Sequence, residues 1–242
     1  MRFLPLAALL LAATPAAAEF DAAERQAIRD EVRAYLLENP GILSEMVRLL
    51  EAEQAGAQAM ADEQLIASHH DAIFDDGFSH VGGNPDGDVT VVEFLDYQCG
   101  FCRRAHPEVQ ELLERDGNIR LITKEFPILG PGSELASRAA IATLIAEGPE
   151  AYRELGNALM TREGQITDAS LDAILEEAGI DAEAVRAEMD SEEVSRRIAE
   201  THILARALGI EGTPTFVIGD RMVRGYLPLE EMENVVEQAR EG

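Results

Sequence analysis

Residues Thr90 to Pro107 read T-V-V-E-F-L-D-Y-Q-C-G-F-C-R-R-A-H-P, and this stretch decides the fold. Its apolar run, Val91 to Leu95, predicts a strand buried on both faces of a sheet. The strand leads to Cys99-Gly100-Phe101-Cys102, where we expect a helix to begin. The first N–H groups of a helix are unpaired and its dipole is positive there, so a thiol at that point is stabilised as thiolate. Two thiols at this spacing can close and reopen a small disulfide, which predicts redox chemistry.

Three other interpretations of the cysteine pair are weaker. A structural disulfide across so short a loop adds little stability. A zinc site needs four ligands, and the chain has two cysteines, with His106 as one further candidate. Covalent haem attachment requires histidine directly after the second cysteine, where Arg103 stands. We therefore expect no resident metal or cofactor beyond a redox-active Cys99–Cys102 disulfide.

The first eighteen residues have the pattern of an export signal. One arginine is followed by an apolar run from Phe3 to Ala13 and then by a small-residue Ala-x-Ala site that ends at Ala18. The run is too short to cross a membrane. Residues 1–18 are therefore predicted to be a signal peptide, with an exported, soluble, periplasmic protein beginning at Glu19. Export would bring the cysteines into an oxidising compartment.

The charge of the chain excludes some partners. The formal net charge is −26, from 46 acidic and 20 basic residues. Such a field repels nucleic acid and anionic lipid. We therefore expect no nucleic-acid partner.

Residues 19–76 are predicted to be helical. Apolar residues recur at helical spacing, first at Ile28, Val32, Tyr35 and Leu36, and again from Ile42 to Leu65. Such a stripe must be buried against something. It can fold back on the main domain, or it can associate with other copies of the chain, and we favour a self-association stalk.

The main domain, residues 77–242, is predicted to be α/β. Strand, helix and strand follow one another within about 35 residues from Val89, the spacing of a right-handed parallel βαβ unit. A helical block, a β-hairpin at Gly219-Asp220 and a last helix come after it. This order is that of a thioredoxin fold with a helical insertion at about residues 133–192, preceded by an N-terminal helical extension. The segment Phe78 to Gly87 is turn-rich and is interpreted as the entry to this domain.

The main domain resembles the DsbA family of exported thiol–disulfide oxidoreductases. The residues that carry the resemblance are Glu93-Phe94, the Cys99–Cys102 pair, His106-Pro107, Lys124-Glu125-Phe126-Pro127 and Gly212-Thr213-Pro214-Thr215-Phe216. The stretch L-L-E-N-P-G-I-L, from residue 36, is similar to the extra N-terminal helices of the ScsC-like branch, which includes trimeric disulfide isomerases. The resemblance therefore implies a homo-oligomer, with a trimer favoured.

The resemblance also implies a role for each matched residue. Cys99 would be the exposed nucleophile, and Cys102 the resolving thiol that releases the mixed disulfide. Pro214 would follow a cis peptide bond beside the cysteines, and the backbone of Thr213 would pair with an extended client chain. Threonine before that proline resembles the isomerase and reductase branches more than the dedicated oxidase.

Glu93 is unusual because it lies in the middle of an apolar strand. A buried carboxyl has to be protonated or paired. The partner that we expect is Lys124, the only lysine of the chain, with the two serving as a proton relay for Cys102. The alternative is an ordinary exposed salt bridge.

Gly100 and Phe101 are expected to tune the redox potential. The strongly oxidising DsbA type has Pro-His between its cysteines, and that histidine stabilises the reduced thiolate. Gly-Phe adds neither charge nor donor, which predicts a potential below that member's value of about −120 mV.

The function predicted from the sequence is thiol–disulfide exchange with cysteines of other exported proteins, with isomerase or reductase action favoured. A membrane redox partner would reset the Cys99–Cys102 pair. Two alternatives remain open: a monomeric DsbA-like oxidase, and a protein that binds Cu(I) through the two thiolates.

Overall fold

The computed structural model describes residues 20–241. The predicted signal peptide, residues 1–18, lies outside the described residues. The chain divides into two compact units, one that ends at Ala55 and one that begins at Gly56. Within the described range, no helix combines the length and the apolar character needed to cross a membrane.

The smaller unit is helical, as predicted. It contains α1 (Ala22–Glu38) and the first part of α2 (Gly41–Ser68). Helix α1 begins where the Asp21 side chain accepts hydrogen bonds from the N–H groups of Ala23 and Glu24, while the Glu24 side chain bonds back to the N–H of Asp21. This capping box satisfies the first donors of the helix. None of the residues of α1 is buried.

The larger unit is the α/β domain that the sequence predicted. Its further elements are α3 (His70–Phe74), β1 (His80–Gly83), β2 (Val89–Leu95), α4 (Gly100–Asp116), β3 (Ile119–Glu125), α5 (Pro131–Glu147), α6 (Pro149–Thr161), α7 (Asp168–Glu177), α8 (Ala182–Met189), α9 (Glu192–Ala207), β4 (Thr215–Ile218), β5 (Arg221–Arg224) and α10 (Leu229–Glu241). Five of its helices, α5 to α9, form the block between β3 and β4, and this block contains the predicted insertion at about residues 133–192.

The predicted domain boundary at residues 76 and 77 lies too late in the chain. Residues 56–76 belong to the larger unit, because Ile66 and Ile73 are buried in its apolar core. Asp62, also buried, receives two hydrogen bonds from Arg224 of β5. The helical periodicity runs through α2 without a break, so the sequence pattern could not show where packing against the sheet begins.

The sheet has five strands in the order β1-β3-β2-β4-β5. Strands β2 and β3 are parallel and are joined by α4, which confirms the predicted βαβ unit, and the other three pairings are antiparallel. Strand β1 lies within the segment that the sequence suggested was only a turn-rich entry. Gly82 and Gly83 are typical of turns, so the sequence pattern did not indicate a strand there. The strand pairs with β3.

Alternation along the strands separates the two faces of the sheet. Glu93 pairs with Thr123 and Leu95 with Glu125, so both glutamates lie on one face, which we call the carboxyl face. Phe94 pairs with Lys124 on the opposite face, which we call the lysine face. Helices α4 and α10 pack on the carboxyl face, together with the helical block from α5 to the first half of α9. Residues of α2, of α3 and of the second half of α9 pack on the lysine face.

Candidate active site

Cys99 is the N-cap residue of α4, as its position between strand and helix predicted. Its backbone is extended, with φ −78° and ψ 117°, and Gly100 is the first helical residue. Its side chain is 7% exposed, and its Sγ lies 3.1 Å from the carbonyl oxygen of Thr213. Cys102 lies one turn further along and is fully buried. Cys99 is therefore the less buried of the two cysteines, although it is not exposed as the resemblance implied.

The surroundings of the two thiols separate their proton affinities. A hydrogen bond with the Cys102 thiol lowers the pKa of Cys99 to about 5, aided by the Thr213 side chain and the N–H groups of Phe101 and Cys102, while burial opposes the change. The same contact with Cys99, followed by burial and the charge of Glu93, raises the pKa of Cys102 above its ordinary value. At neutral pH the pair therefore holds one thiolate, on Cys99, and one thiol.

Thr213 and Pro214 lie beside the cysteines, as the resemblance implied. The peptide bond between them is cis. Pro214 directly precedes β4, which pairs with β2. The Thr213 hydroxyl is buried and has no hydrogen-bond partner in the part of the chain that the structure describes. The Thr213 side chain nevertheless lies close enough to Cys99 to help lower the pKa of that thiol.

Glu93 is buried on the carboxyl face, 4% exposed. Burial, followed by the negative charges of Glu125 and Cys99, raises the pKa of Glu93 to about 8. Because its charge also raises the pKa of Cys102, the carboxyl lies close enough to influence the resolving thiol. Of the two states expected for a buried carboxyl, protonated or paired, Glu93 is held in the protonated one at neutral pH.

The predicted pairing of Glu93 with Lys124 is wrong. The two side chains lie on opposite faces of the sheet, since Lys124 is in register with Phe94. Lys124 Nζ instead bonds to the Asp76 carboxylate at 2.5 Å and to the Ala72 carbonyl at 2.9 Å. Burial lowers the pKa of Lys124, although the Asp76 charge raises it. Lys124 therefore fastens the segment after α3 to the sheet and has no contact with the cysteines.

The sequence did not reveal the surroundings of a second buried carboxyl, Glu125. The hydroxyl groups of Tyr97 and Tyr152 donate to its Oε1 at 2.8 and 2.5 Å. Burial raises the pKa of Glu125 to about 7, although the hydrogen bonds from Tyr152 and Tyr97 lower it. A carboxyl at the end of an apolar strand was a signal for this site. The tyrosine on the inserted helix α6, by contrast, could not be assigned to it from spacing.

Asp96 joins the segment before Cys99 to the loop after β3. It is fully buried, and its carboxylate accepts hydrogen bonds from the N–H of Gln98 and from those of Ile128 and Leu129. One side chain therefore holds the chain before Cys99 against the loop after β3. This role could not be predicted from the sequence, because the two segments that Asp96 joins lie more than thirty residues apart.

The other predicted residues lie as follows. Gly100 has open space around it, since an added Cβ would meet no atom within 4 Å, and Phe101 is 58% exposed. His106, predicted to be a packing residue, is partly buried and its Nε2 lies 3.0 Å from Asn157 Oδ1 on α6. Among residues 20–241, no three His, Cys, Asp or Glu side chains are grouped so that they could hold a metal ion.

A domain built in this way, with a Cys-x-x-Cys pair at a helix start beside a cis-proline, defines the class of thioredoxin-like thiol–disulfide oxidoreductases. Residues 90–237 match the DSBA-like thioredoxin domain, and residues 24–57 match the Copper resistance protein ScsC N-terminal domain. Since the first match covers more than half of the chain, the protein belongs to the DSBA-like thioredoxin family. The fold and the resemblance predicted from the sequence are confirmed.

Solved structures of similar proteins cover both units. A thioredoxin-like oxidoreductase from Silicibacter pomeroyi DSS-3 is 42% identical with a TM-score of 0.68, over 71% of this chain and 98% of that one. Proteus mirabilis ScsC in a transitional conformation is 29% identical with a TM-score of 0.67, over 93% of this chain and 98% of that one.

The Na(+)/H(+) antiporter NhaA 1 of Salinispora arenicola is 32% identical over 165 residues, which are 67% of this chain and 25% of that protein. The chain thus spans about a quarter of the length of that relative.

Proposed function

We propose that this protein is an exported thiol–disulfide oxidoreductase that exchanges disulfides with cysteines of other exported proteins. The observation that carries the proposal is the contrast within the pair. Cys99 is held as thiolate at the helix start, and Cys102 is held as thiol beside the buried Glu93. A low-pKa thiol attacks a disulfide and also leaves readily, while the buried thiol completes the exchange.

The first test is the alkylation rate of Cys99 as a function of pH. We expect Cys99 in a Cys102→Ser variant to react with iodoacetamide along a titration curve whose midpoint lies well below the free value of about 8.5. The matched control is Cys99→Ser, in which the buried Cys102 should react slowly at neutral pH. A Cys99 that reacts only as fast as a thiol in an unfolded peptide would overturn the proposal.

Isomerase or reductase action is favoured over dedicated oxidation. Two observations support this direction: threonine precedes the cis-proline, and the residues between the cysteines supply no extra cation to stabilise the thiolate. Such a pair would be found partly reduced in the compartment where it works. Refolding of scrambled ribonuclease compared with reduced ribonuclease distinguishes the two directions. Faster gain of activity only from the reduced form would indicate an oxidase.

The smaller unit supports self-association, and we propose a homo-oligomer with a trimer favoured. Its helices expose large apolar side chains, among them Ile28, Val32, Tyr35, Leu37, Leu43, Met46, Val47, Leu49 and Leu50. Exposed apolar area of this extent is usually covered by a partner, and the match of residues 24–57 to the ScsC N-terminal domain favours other copies of the chain. Several active sites on one particle would let a held client be attacked repeatedly, which suits reshuffling of its disulfides.

Sedimentation tests the oligomer with substitutions that leave the catalytic unit intact. Leu43→Glu with Leu50→Glu should give a monomer that retains the reactivity of Cys99. Ile203→Glu is the matched control, because Ile203 is equally exposed but lies on α9 of the larger unit. If wild-type protein sediments as a monomer, the self-association proposal fails and the monomeric oxidase becomes the better interpretation.

Periplasmic export and a membrane redox partner complete the proposal. Export rests on the apolar run and Ala-x-Ala site of residues 1–18. A pair that gives or takes two electrons per exchange needs a second protein to reset it. N-terminal sequencing of the secreted protein should find Glu19 first, and trapping of a Cys102→Ser mixed disulfide in cells identifies clients and the resetting partner together.

Binding of Cu(I) is a second candidate function. It is favoured by two adjacent sulfurs, one of them ionised, and by the match to a domain of a copper resistance protein. Thiolates are ligands that select Cu(I). Titration of the reduced protein against a chromogenic Cu(I) chelator tests it, with the oxidised protein as the control that should not bind.

A further inference from the structure

A small cavity lies on the carboxyl face between β1, β2, α4 and α6. Its volume is about 70 Å³, and its lining includes His80, Glu93, Tyr97, His106, Tyr152 and Asn157. The lining also includes Arg153, which is exposed, so the cavity connects the buried Glu93 carboxyl with the surface. Neither Cys99 nor Cys102 is part of this lining, so the wall of the cavity meets the active site at Glu93.

His80 lines the cavity and has one ring nitrogen without a partner in the described part of the chain. The residue is 8% exposed, and its ring stacks on Tyr152 with centroids 4.3 Å apart. Its Nδ1 is buried and has no hydrogen-bond partner among the residues that the structure describes. A buried ring nitrogen of this kind is normally satisfied by water. A cavity of about 70 Å³ with several polar groups on its wall is large enough to hold water molecules.

We propose that His80 is a positioning residue of the exchange reaction, and that it holds cavity water against Glu93 so that the proton given up by Cys102 reaches the surface. This inference rests on the proposed function. It assigns a task to a histidine on β1 that lies far from the cysteines in the sequence, and it replaces the relay through Lys124 that the sequence suggested.

The proton balance of the resolving step shows why Glu93 needs an outlet. In the mixed disulfide Cys99 no longer carries a charge, so one cause of the raised pKa of Glu93 is gone and the carboxyl ionises more readily. Cys102 then gives its proton to the Glu93 carboxylate and attacks Cys99 Sγ. The Cys99–Cys102 bond forms, and the bond from Cys99 to the client sulfur breaks, with its electron pair leaving on that sulfur. Glu93 now carries the proton and must lose it before the next exchange. Water held between Glu93 and His80 Nδ1 provides that path.

Burial keeps His80 neutral and therefore able to accept a hydrogen bond. Burial lowers the pKa of His80 to about 4, with Glu150 raising it and Arg153 lowering it. From α4, His106 faces the cavity with its pKa also lowered by burial. Burial raises the pKa of Glu93, and the charges of Glu125 and Cys99 raise it further. At neutral pH the carboxyl is thus the group of the cavity that titrates.

The test uses the two-phase reaction of the reduced protein with Ellman's reagent, followed by thionitrobenzoate release from pH 5 to 9. The first phase is attack by Cys99, and the second is attack by Cys102 on the resulting mixed disulfide. His80→Phe keeps the stacking on Tyr152 but removes Nδ1. We expect the midpoint of the second phase to rise by about one pH unit, which slows that phase about tenfold at pH 7. The first phase should not change.

Three variants make the result specific. His80→Asn places a polar atom near the position of Nδ1 and should restore most of the rate. His202→Phe is the matched control, because His202 also contacts an aromatic ring, Phe126, and should leave both phases unchanged. In a Glu93→Gln background, His80→Phe should have no further effect. An unmoved midpoint, or an equal shift in the Glu93→Gln background, would overturn the inference.

Failure of the inference and failure of the proposed function give different results. A wild-type protein that lacks the fast first phase contradicts the proposed function itself. A normal first phase with an unmoved second phase in His80→Phe contradicts only the role of His80. If His80→Phe does not fold, a high-resolution crystal structure of the wild type decides. Water bonded to both His80 Nδ1 and the Glu93 carboxyl supports the inference, and a dry cavity overturns it.

Discussion

The two faces of the central sheet treat buried charge in opposite ways. On the carboxyl face, Glu93 and Glu125 are buried near each other, and their pKa values are raised to about 8 and about 7. On the lysine face, Lys124 and Asp76 form an ion pair, and the pKa of Asp76 is lowered although burial opposes this. Burial alone therefore does not decide protonation. A paired cation does, and on the face that adjoins the cysteines neither glutamate forms an ion pair within residues 20–241.

This difference separates proton exchange from anchoring. A carboxyl whose pKa lies near the working pH can accept and release a proton during each exchange. A paired lysine and aspartate keep their charges throughout and contribute to stability instead. The following predictions test the separation, beginning with the largest expected effect.

The first prediction concerns stability as a function of pH. Folded Glu93 binds its proton up to about pH 8, against an ordinary value of 4.5, so the native state holds more protons than the unfolded state between these values. The contribution of Glu93 to the free energy of unfolding is therefore complete below pH 4.5 and is lost progressively as pH rises to about 8. This decrease in the free energy of unfolding, on the order of 4 kcal/mol, should be absent from the urea unfolding curves of Glu93→Gln.

The measurement needs a background without thiols. The lowered pKa of Cys99 has the opposite effect on stability, which rises with pH between about 5 and 9. Both proteins are therefore compared in a Cys99→Ser, Cys102→Ser background. Parallel pH profiles with and without the Glu93→Gln substitution would show that the carboxyl is not held protonated by the fold.

The second prediction breaks the ion pair on the lysine face. Lys124→Met removes the cation and leaves Asp76 and the Ala72 carbonyl without their donor. Loss of one partner of a buried pair leaves a charge uncompensated, so we expect the free energy of unfolding to fall by about 3 kcal/mol. Arg153→Met, which breaks exposed ion pairs to Glu150 and Glu154, is the control and should cost less than about 1 kcal/mol.

Thiol reactivity makes the second prediction specific. The alkylation midpoint of Cys99 should stay in place in Lys124→Met, because the lysine lies on the other face from the cysteines. A moved midpoint in a protein of normal stability would instead support the relay that the sequence suggested.

The third prediction concerns the two carboxyls of the active face. Glu125 raises the pKa of Glu93 through its charge, so Glu125→Gln should lower it. We expect the pH midpoint of the Cys102 phase with Ellman's reagent to fall by about one unit, or about 1.4 kcal/mol. Glu134→Gln, on an exposed part of α5, is the control. A midpoint that rises would show that hydrogen bonding by Tyr97 and Tyr152, and not charge, controls the coupling.

These residues also show what the sequence could and could not predict. The position of Cys99 followed from one local pattern, a buried strand that ends where a helix begins, and the structure has Cys99 as the N-cap of α4. The parallel β2–α4–β3 unit followed from spacing. Both depend on residues that are close in the chain, where hydrophobic periodicity and helix-start signals are reliable.

The partners of buried charges could not be predicted in the same way. Which face of the sheet Lys124 occupies depends on the register of β3 against β2, and a shift of one residue would have placed it beside Glu93. One partner of Glu125, Tyr152, comes from α6, and that of Lys124 comes from the segment after α3. These contacts depend on tertiary packing, which the linear pattern does not contain.

The smallest expected effect concerns the start of helix α4, which belongs to neither face of the sheet. Gly100 has room for a side chain and is the first residue of α4, where proline is well tolerated. Phe101 is exposed, so histidine fits there without repacking. Gly100→Pro with Phe101→His adds a donor beside the Cys99 thiolate and stabilises the reduced form. We therefore expect the potential to rise, by about 30 mV or less, which is about 1.4 kcal/mol.

Equilibration with glutathione buffers measures this potential, and Phe101→Leu is the control that changes the side chain without adding a donor. If the potential rises while the Cys102 midpoint stays in place, the helix start sets the redox balance and the carboxyl face sets only proton transfer. The potential could instead stay the same in Gly100→Pro with Phe101→His and change in Glu93→Gln. That result would mean that the buried carboxyl controls both the redox balance and proton transfer. In that case the contrast between the faces would extend to the direction of disulfide exchange.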